Sequence, residues 1–216
     1  MTTIAVSDGM MASDGQATKG WMAMPGNFKK IHKPDEATEY WEAAGVRIIA
    51  FGVCGQAHAI EYIKEYLRKG IDYRTRVTHD EELDFEAILI TERHEVLAWS
   101  IYANKEKRGE EQFLLPVNVP YSSGSGSRFA LAAMCVGQNA AKAVKTACKL
   151  DVMSGGDVDV FVFPPVPEVK SVRPAHLVIK DPKDAKDEAV KPETTPGEAS
   201  THPKPEVEDP IVVEAV

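Results

Sequence analysis

Thr2 stands directly behind Met1. Removal of Met1 would make Thr2 the N-terminal residue, with a hydroxyl nucleophile and a free α-amine on adjacent carbons of the same residue. The amine can then serve as the base that activates its own hydroxyl. An α-amine has an unperturbed pKa of about 8, close to the range useful for a general base at neutral pH. Attack on a carbonyl would leave an ester on Thr2, which water later hydrolyses. Three other stretches can do chemistry beside it. Asp14 opens the run Asp14-Gly15-Gln16-Ala17-Thr18, one hairpin further on. Lys30 closes Gly26-Asn27-Phe28-Lys29-Lys30. Read as a strand, that segment puts Lys30 on the same side as Phe28, which by itself describes a surface lysine snorkelling along an apolar neighbour. Cys54-Gly55 ends an apolar run before a helix, so the backbone N–H groups of Cys54 and Gly55 are free to bind an oxyanion; an ordinary strand-to-helix turn has the same look.

The elements that must position these residues are legible as patterns. Thr2 to Val6 is β-rich, and Asp8-Gly9 is the favoured pair for a two-residue hairpin, so Met10 to Asp14 pairs back and brings Asp14 near Thr2. His32 to Gly45 reads as a charged loop with a helical turn around residues 37–41. Val46 to Val53 is a buried strand by its apolar run. Ala57, Ile60, Ile63 and Leu67 recur at helical spacing, with charges on the opposite side, and Gly70 stops that helix. Thr78 to Phe85 reads as an acidic loop or edge. Ala87 to Thr91 and Val96 to Tyr102 read as strands joined by a short turn. Lys105 to Glu111 reads as a charged loop before the apolar run from Phe113 to Val119.

Ser122 to Ser127 contains only serine and glycine and reads as a flexible loop. Such a loop before a helix suggests phosphate binding, but the Gly-Lys-Ser/Thr ending of a P-loop is missing. Two helices follow, over Phe129 to Val136 and through Ala143, Val144, Ala147 to Leu150, with Asn139 as N-cap of the second. Asp151 to Gly156 turns the chain. Asp157 to Phe163 alternates as a half-buried strand. Strands, helix, strands, two helices and a strand together give an α+β protein of two antiparallel layers with helices outside.

Composition sets the outer bounds. At 216 residues the chain is one domain, or one domain with a tail. A formal net charge of −8 argues against nucleic-acid binding, which needs basic patches. Cys54, Cys135 and Cys148 are an odd set without a C-x-x-C pair, which fits burial in a reducing compartment. His94-Glu95 has no second histidine at helical spacing, so no metal or other cofactor is expected. No basic stretch with an apolar core opens the chain, and no run approaches the roughly 20 apolar residues of a membrane span. A cytoplasmic protein without a membrane partner is therefore expected. Ten of the fourteen prolines lie from Pro164 onward, where no aromatic residue occurs. That composition cannot bury enough apolar surface to order itself. The expected division is a folded domain over 1–165 and a disordered Pro/Glu/Lys-rich tail over 166–216.

The order of these motifs resembles the proteasome β-subunit and HslV family. Thr2-Thr3-Ile4, Asp14-Gly15-Gln16-Ala17-Thr18 and Gly26-Asn27-Phe28-Lys29-Lys30 are similar to the opening of HslV. Gly124-Ser125-Gly126-Ser127 and Asp151-x-x-Ser154-Gly155-Gly156 are closer to a proteasome β subunit. The resemblance implies an N-terminal threonine endopeptidase with the Ntn-hydrolase fold, a four-layer αββα sandwich. It places Thr2 as nucleophile and Asp14 and Lys30 as the ion pair beside it. Ser125, Asp151 and Ser154 become the polar residues that hold the amine. It also implies a homo-oligomeric ring, peptide or unfolded-protein substrates, and an ATP-dependent unfoldase as a possible partner. A non-catalytic shell or binding protein on the same fold is the alternative, and the complete residue set argues against it. The chain departs from the family at Val53-Cys54-Gly55, where Ala-Gly-Gly is usual, and at His58, where an acidic residue is usual. The Cys54 side chain is therefore expected to add bulk near the site.

Overall fold

The computed structural model describes residues 2–75, 83–104 and 109–166. The first hairpin forms as its turn residues dictate. β1 (Thr3–Ser7) and β2 (Met10–Ser13) pair antiparallel from Ser7↔Met10 to Ile4↔Ser13. Asp8 and Gly9 have φ of 51° and 69°, the left-handed values that a tight turn matching strand twist requires. The segment after Asp14 folds into a small separate hairpin of β3 (Thr18–Lys19) and β4 (Met22–Ala23). β5 (Ile31–His32), β6 (Glu42–Ala43) and β7 (Val46–Gly55) lead into α1 (Ala59–Lys69), which Gly70 ends at φ 75°. β8 (Phe85–Thr91), β9 (Val96–Asn104) and β10 (Gly109–Pro116) form a meander. β11 (Tyr121–Gly124), α2 (Ser127–Cys135), α3 (Ala140–Leu150) and β12 (Asp159–Val162) complete the described chain.

Two sheets result, one ordered β11-β1-β2-β12 and the other β10-β9-β8-β7-β5, and both are antiparallel throughout. The period-2 alternation of the strands sorts side chains into separate cores. On β7 and β8, Phe51, Val53, Phe85, Ala87 and Leu89 face α1, where Ile63 and Leu67 meet them together with Trp41 and Trp99. The alternate residues Ala50, Cys54, Ile88 and Ile90 face the other sheet and meet Ile4, Val6 and Met11. On the far side of β1 and β2, Ala5 and Ala12 lie under α2 and α3, against Ala130, Ala133, Ala143, Val144 and Ala147. Alanine on both partners lets these helices sit close to the smaller sheet. The two sheets also approach closely at Gly52, where a Cβ would lie 2.9 Å from the Met11 sulfur and 3.1 Å from Ile4 Cδ1.

Several sequence expectations change in the fold. The helical turn of the charged stretch closes at Glu39, where the Asp35 carbonyl accepts from Thr38 N–H and Glu39 N–H, and stops short of Trp41, which anchors the core beneath α1 through its contact with Phe51. α1 begins at Ala59, and Ala57 is exposed before it. The Ser/Gly run is not a loop throughout: Tyr121–Gly124 is strand β11, paired with β1 from Val6↔Tyr121 to Thr3↔Gly124. Small residues suit that place because Gly124 packs on Thr2. The charged loop expected over 105–111 ends earlier, since β10 already runs from Gly109. Burial holds for Cys54 alone of the three cysteines; Cys135 is exposed and Cys148 half-buried. The readings for 76–82 and for the tail from 167 lie outside the described residues. Among the described residues no helix is long and apolar enough to cross a membrane.

Candidate active site

One end of the two sheets collects every candidate residue. Antiparallel pairing explains this, because strand starts and strand ends alternate along one edge. Thr2 precedes β1, Asp14 follows β2, Lys30 precedes β5, Gly55 ends β7 and Ser125 follows β11. Asp151 caps the C-terminus of α3, and Ser154 lies in the turn after it.

Asp14 is the best-satisfied polar group of the site. It is fully buried, and its two carboxylate oxygens accept four hydrogen bonds. Oδ1 accepts from Thr3 N–H at 2.7 Å and Lys30 Nζ at 2.6 Å. Oδ2 accepts from Gly155 N–H at 3.0 Å and Gln16 N–H at 3.2 Å. A buried carboxylate costs several kcal/mol to desolvate, and this degree of pairing is what makes it tolerable. Lys30 is 6% exposed and gives a second bond, at 2.6 Å, to the Gln16 carbonyl. Burial lowers its pKa from the ordinary lysine value, and the bond and charge of Asp14 oppose that shift.

The snorkelling reading of Lys30 is thereby overturned. Asn27 to Lys30 is not strand, so alternation does not govern it: Phe28 is 40% exposed while Lys30 turns inward. Lys30 arrives from the larger sheet, where its carbonyl accepts from Val53 N–H at 3.1 Å, and it reaches across to Asp14 on the smaller one.

A second carboxylate lies on the opposite flank. Asp151 Oδ2 accepts from Ser154 Oγ at 2.6 Å and from Ser125 Oγ at 2.7 Å, and Oδ1 accepts from Met153 N–H at 3.1 Å. Burial pushes its carboxyl up, but those three bonds outweigh it and hold the pKa below the usual carboxylate value. Ser125 Oγ also lies 3.4 Å from the Thr2 carbonyl, which ties this cluster to the candidate nucleophile. Ser125, Asp151, Ser154, Asp14, Lys30 and Thr2 are thus brought into one neighbourhood.

The candidate oxyanion donors separate. Val53 N–H points to the Lys30 carbonyl and Gln56 N–H to the Asp84 carbonyl on the β8 side. Successive N–H groups of a strand alternate sides. Cys54 N–H therefore faces β8, where Cys54 stands opposite Glu86, and Gly55 N–H faces the Lys30 side. Of the expected pair, Gly55 is the one directed at the site. The Cys54 side chain goes into the core between the sheets rather than into open space. Burial pushes its thiol up to about 12, so it carries no thiolate near neutral pH. His58 sits at the exposed start of α1 with its ring against Tyr62.

Sequence reading missed four contributors. Gln16 holds Lys30 and Asp14 through its backbone, and Gly155 donates to Asp14. Thr3 bonds Asp14 through N–H and Ser154 through its hydroxyl. Gly124 is needed because a Cβ there would lie 1.9 Å from the Thr2 carbonyl oxygen, and its φ is +95°. Glycine beside Gln16, and at 124 and 155 themselves, was the available signal; Thr3 has no glycine in its own motif. Gly124→Ala is expected to cost about 1–3 kcal/mol in backbone strain and to displace Thr2. Denaturant unfolding checks this; a variant as stable as wild type contradicts the placement of Thr2 over Gly124.

No protein-family model and no curated protein matches the chain. Among solved structures it is similar to Thiobacillus denitrificans BPH in complex with epoxomicin, at 16% identity and TM-score 0.48, over 76% of this chain and 99% of that one. It is also similar to Thiobacillus denitrificans BPH, at 17% identity and TM-score 0.40, over 76% of this chain and 98% of that one.

Proposed function

We propose that this chain is a threonine-type endopeptidase of the proteasome β-subunit and HslV kind, with Thr2 as nucleophile once Met1 is removed. The observation that carries the reading is the buried Asp14–Lys30 pair on one side of Thr2 and the Asp151–Ser125–Ser154 cluster on the other. A buried lysine held by a fully bonded carboxylate is costly to build, and perturbed ionisable groups of this kind concentrate at functional sites. The motif resemblance and the order of α1, larger sheet, smaller sheet and α2/α3 support the four-layer αββα Ntn-hydrolase fold.

In this mechanism the Thr2 amine takes the proton from the Thr2 hydroxyl. The oxygen attacks the scissile carbonyl, and the oxyanion forms towards Gly55 N–H. The amine returns the proton to the departing peptide amine, leaving an ester on Thr2, and water repeats the cycle to release the acid. Lys30 lowers the amine pKa and steadies the deprotonated oxygen. Asp14 fixes Lys30. Asp151, with Ser125 and Ser154, receives the amine and sets its direction. The substrates are peptides or unfolded proteins. The working form is a homo-oligomeric ring in the cytoplasm, with an ATP-dependent unfoldase as a candidate partner.

Processing tests the reading, since an acylated or extended N-terminus removes the base. Thr2 is small enough for efficient Met1 removal. The intact mass of active protein should correspond to a chain beginning at Thr2. Protein that retains Met1 quantitatively and still cleaves peptides would rule the mechanism out.

A further inference from the structure

Resting on the proposed reading, we propose that Thr3 is a positioning residue, whose buried hydroxyl donates to Ser154 and so fixes Asp151 beside Thr2. Proton counting sets the direction of that bond. Thr3 Oγ1 lies 2.6 Å from Ser154 Oγ, and either oxygen could in principle donate. Ser154 Oγ also lies 2.6 Å from Asp151 Oδ2. An ionised carboxylate only accepts, and a serine hydroxyl has one proton. Ser154 must therefore give its proton to Asp151, and Thr3 must give its own to Ser154. The result is a directed chain, Thr3 to Ser154 to Asp151, with Ser125 donating to the same carboxylate oxygen. Chains of this kind polarise each bond along them.

Two observations show that the contact is built rather than incidental. Thr3 is completely buried. A Cβ on Gly126 would lie 2.1 Å from Thr3 Oγ1 and 2.9 Å from Ser154 Oγ, so the backbone there is stripped to make room for the bond. Thr3 also joins the two flanks of the site, because its N–H donates to Asp14 Oδ1 at 2.7 Å while its hydroxyl serves Asp151 through Ser154. Its peptide directly follows the nucleophilic residue. A shift of Thr3 therefore moves Thr2 relative to both carboxylates.

The sign of the effect follows. Losing the Thr3 proton weakens donation from Ser154, so the Asp151 carboxylate is less stabilised and its pKa rises. Cys148 of α3 feels Asp14 and Lys30 as well as Asp151, and its own thiol is raised chiefly by burial; the α-amine is the cation that acts on Asp151. The Cys148 thiol stays neutral across the acid range in which Asp151 titrates. Asp14 and Lys30 lie on the other flank, bonded to each other.

The experiment uses the full chain as wild type, Thr3→Val, which keeps the shape without the hydroxyl, and Thr3→Ser, which keeps the hydroxyl without the methyl. Hydrolysis of a fluorogenic peptide amide and ¹³C titration of the Asp151 carboxyl are both read. Thr3→Val should lower kcat about tenfold, the worth of one charge-linked hydrogen bond, with KM little changed. It should also move the Asp151 titration upward. Thr3→Ser should restore both. Unchanged Asp151 titration in Thr3→Val would overturn the proposal, as would Thr3→Ser impaired as badly as Thr3→Val, which would reduce Thr3 to a space-filling role. If the wild type cleaves no peptide, the endopeptidase reading fails, and the carboxyl titration alone still decides whether Thr3 acts on Asp151.

Discussion

Thr2→Ala is expected to give a folded chain that cleaves no peptide. The structure holds Thr2 through its backbone, with the carbonyl seated on Gly124 and 3.4 Å from Ser125 Oγ, so the loss of one hydroxyl and one methyl should leave stability nearly unchanged. Chemistry should suffer out of proportion. The amine would remain but would have no hydroxyl to activate, and no other side chain can replace it. The Cys54 thiol cannot stand in for it, because Cys54 is buried with its thiol pushed up to about 12. Removing a nucleophile from a catalytic set lowers kcat by roughly 10⁴-fold or more. Peptide turnover together with thermal unfolding of the same preparation reads both halves. Turnover within tenfold of wild type would place the nucleophile elsewhere.

Lys30→Ala, Lys30→Arg and Asp14→Asn should each lower kcat by about a hundredfold or more, the usual size for losing one preorganised electrostatic contact. The three act differently on the same pair. Lys30→Ala removes the cation and leaves Asp14 buried without its charge partner. Breaking a buried pair costs about 3–5 kcal/mol, towards the low end here because three backbone N–H groups still bond the carboxylate. Lys30→Arg keeps the charge but not the shape. An ammonium meets both Asp14 Oδ1 and the Gln16 carbonyl at 2.6 Å, a compact arrangement that a planar guanidinium cannot copy. Asp14→Asn keeps the shape and removes the anion, so the amide NH₂ faces the lysine or the N–H donors unfavourably. Near-normal turnover in all three, measured on folded protein, would refute the assignment of this pair.

The pairs and turns that local rules govern were legible in the sequence. Asp8-Gly9 announced the first hairpin, and that hairpin alone placed Asp14 beside Thr3. Asn139 was read as an N-cap and accepts from Lys142 N–H at 3.0 Å. The strict alternation before Phe163 survives in β12 as alternate half-buried and exposed residues.

What failed depends on contacts between distant segments. Ser122 to Gly124 looked like loop because its β propensity is low, yet it is a strand because β1 supplies the partner. Trp41 sits in a charged stretch and looked peripheral, but its ring fills the core under α1. Lys30 was misread locally because the period of a strand was applied to four residues that are not one. Its partner is sixteen residues away, on the other sheet. The Thr3–Ser154 bond spans 151 positions and leaves no local trace except the glycine that clears its path.

In the proposed mechanism the hydroxyl and the amine of one residue act together, and a peptide epoxyketone tests that pairing. Such a reagent needs a hydroxyl to add to its ketone and an adjacent free amine to open its epoxide. Native protein should be exposed to it and then mapped by tandem mass spectrometry. One adduct of full reagent mass is expected on the peptide that begins at Thr2, lost in Thr2→Ala and much slowed in Lys30→Ala. An adduct on Cys135 or elsewhere, or unlabelled protein that still turns over peptides, would contradict it.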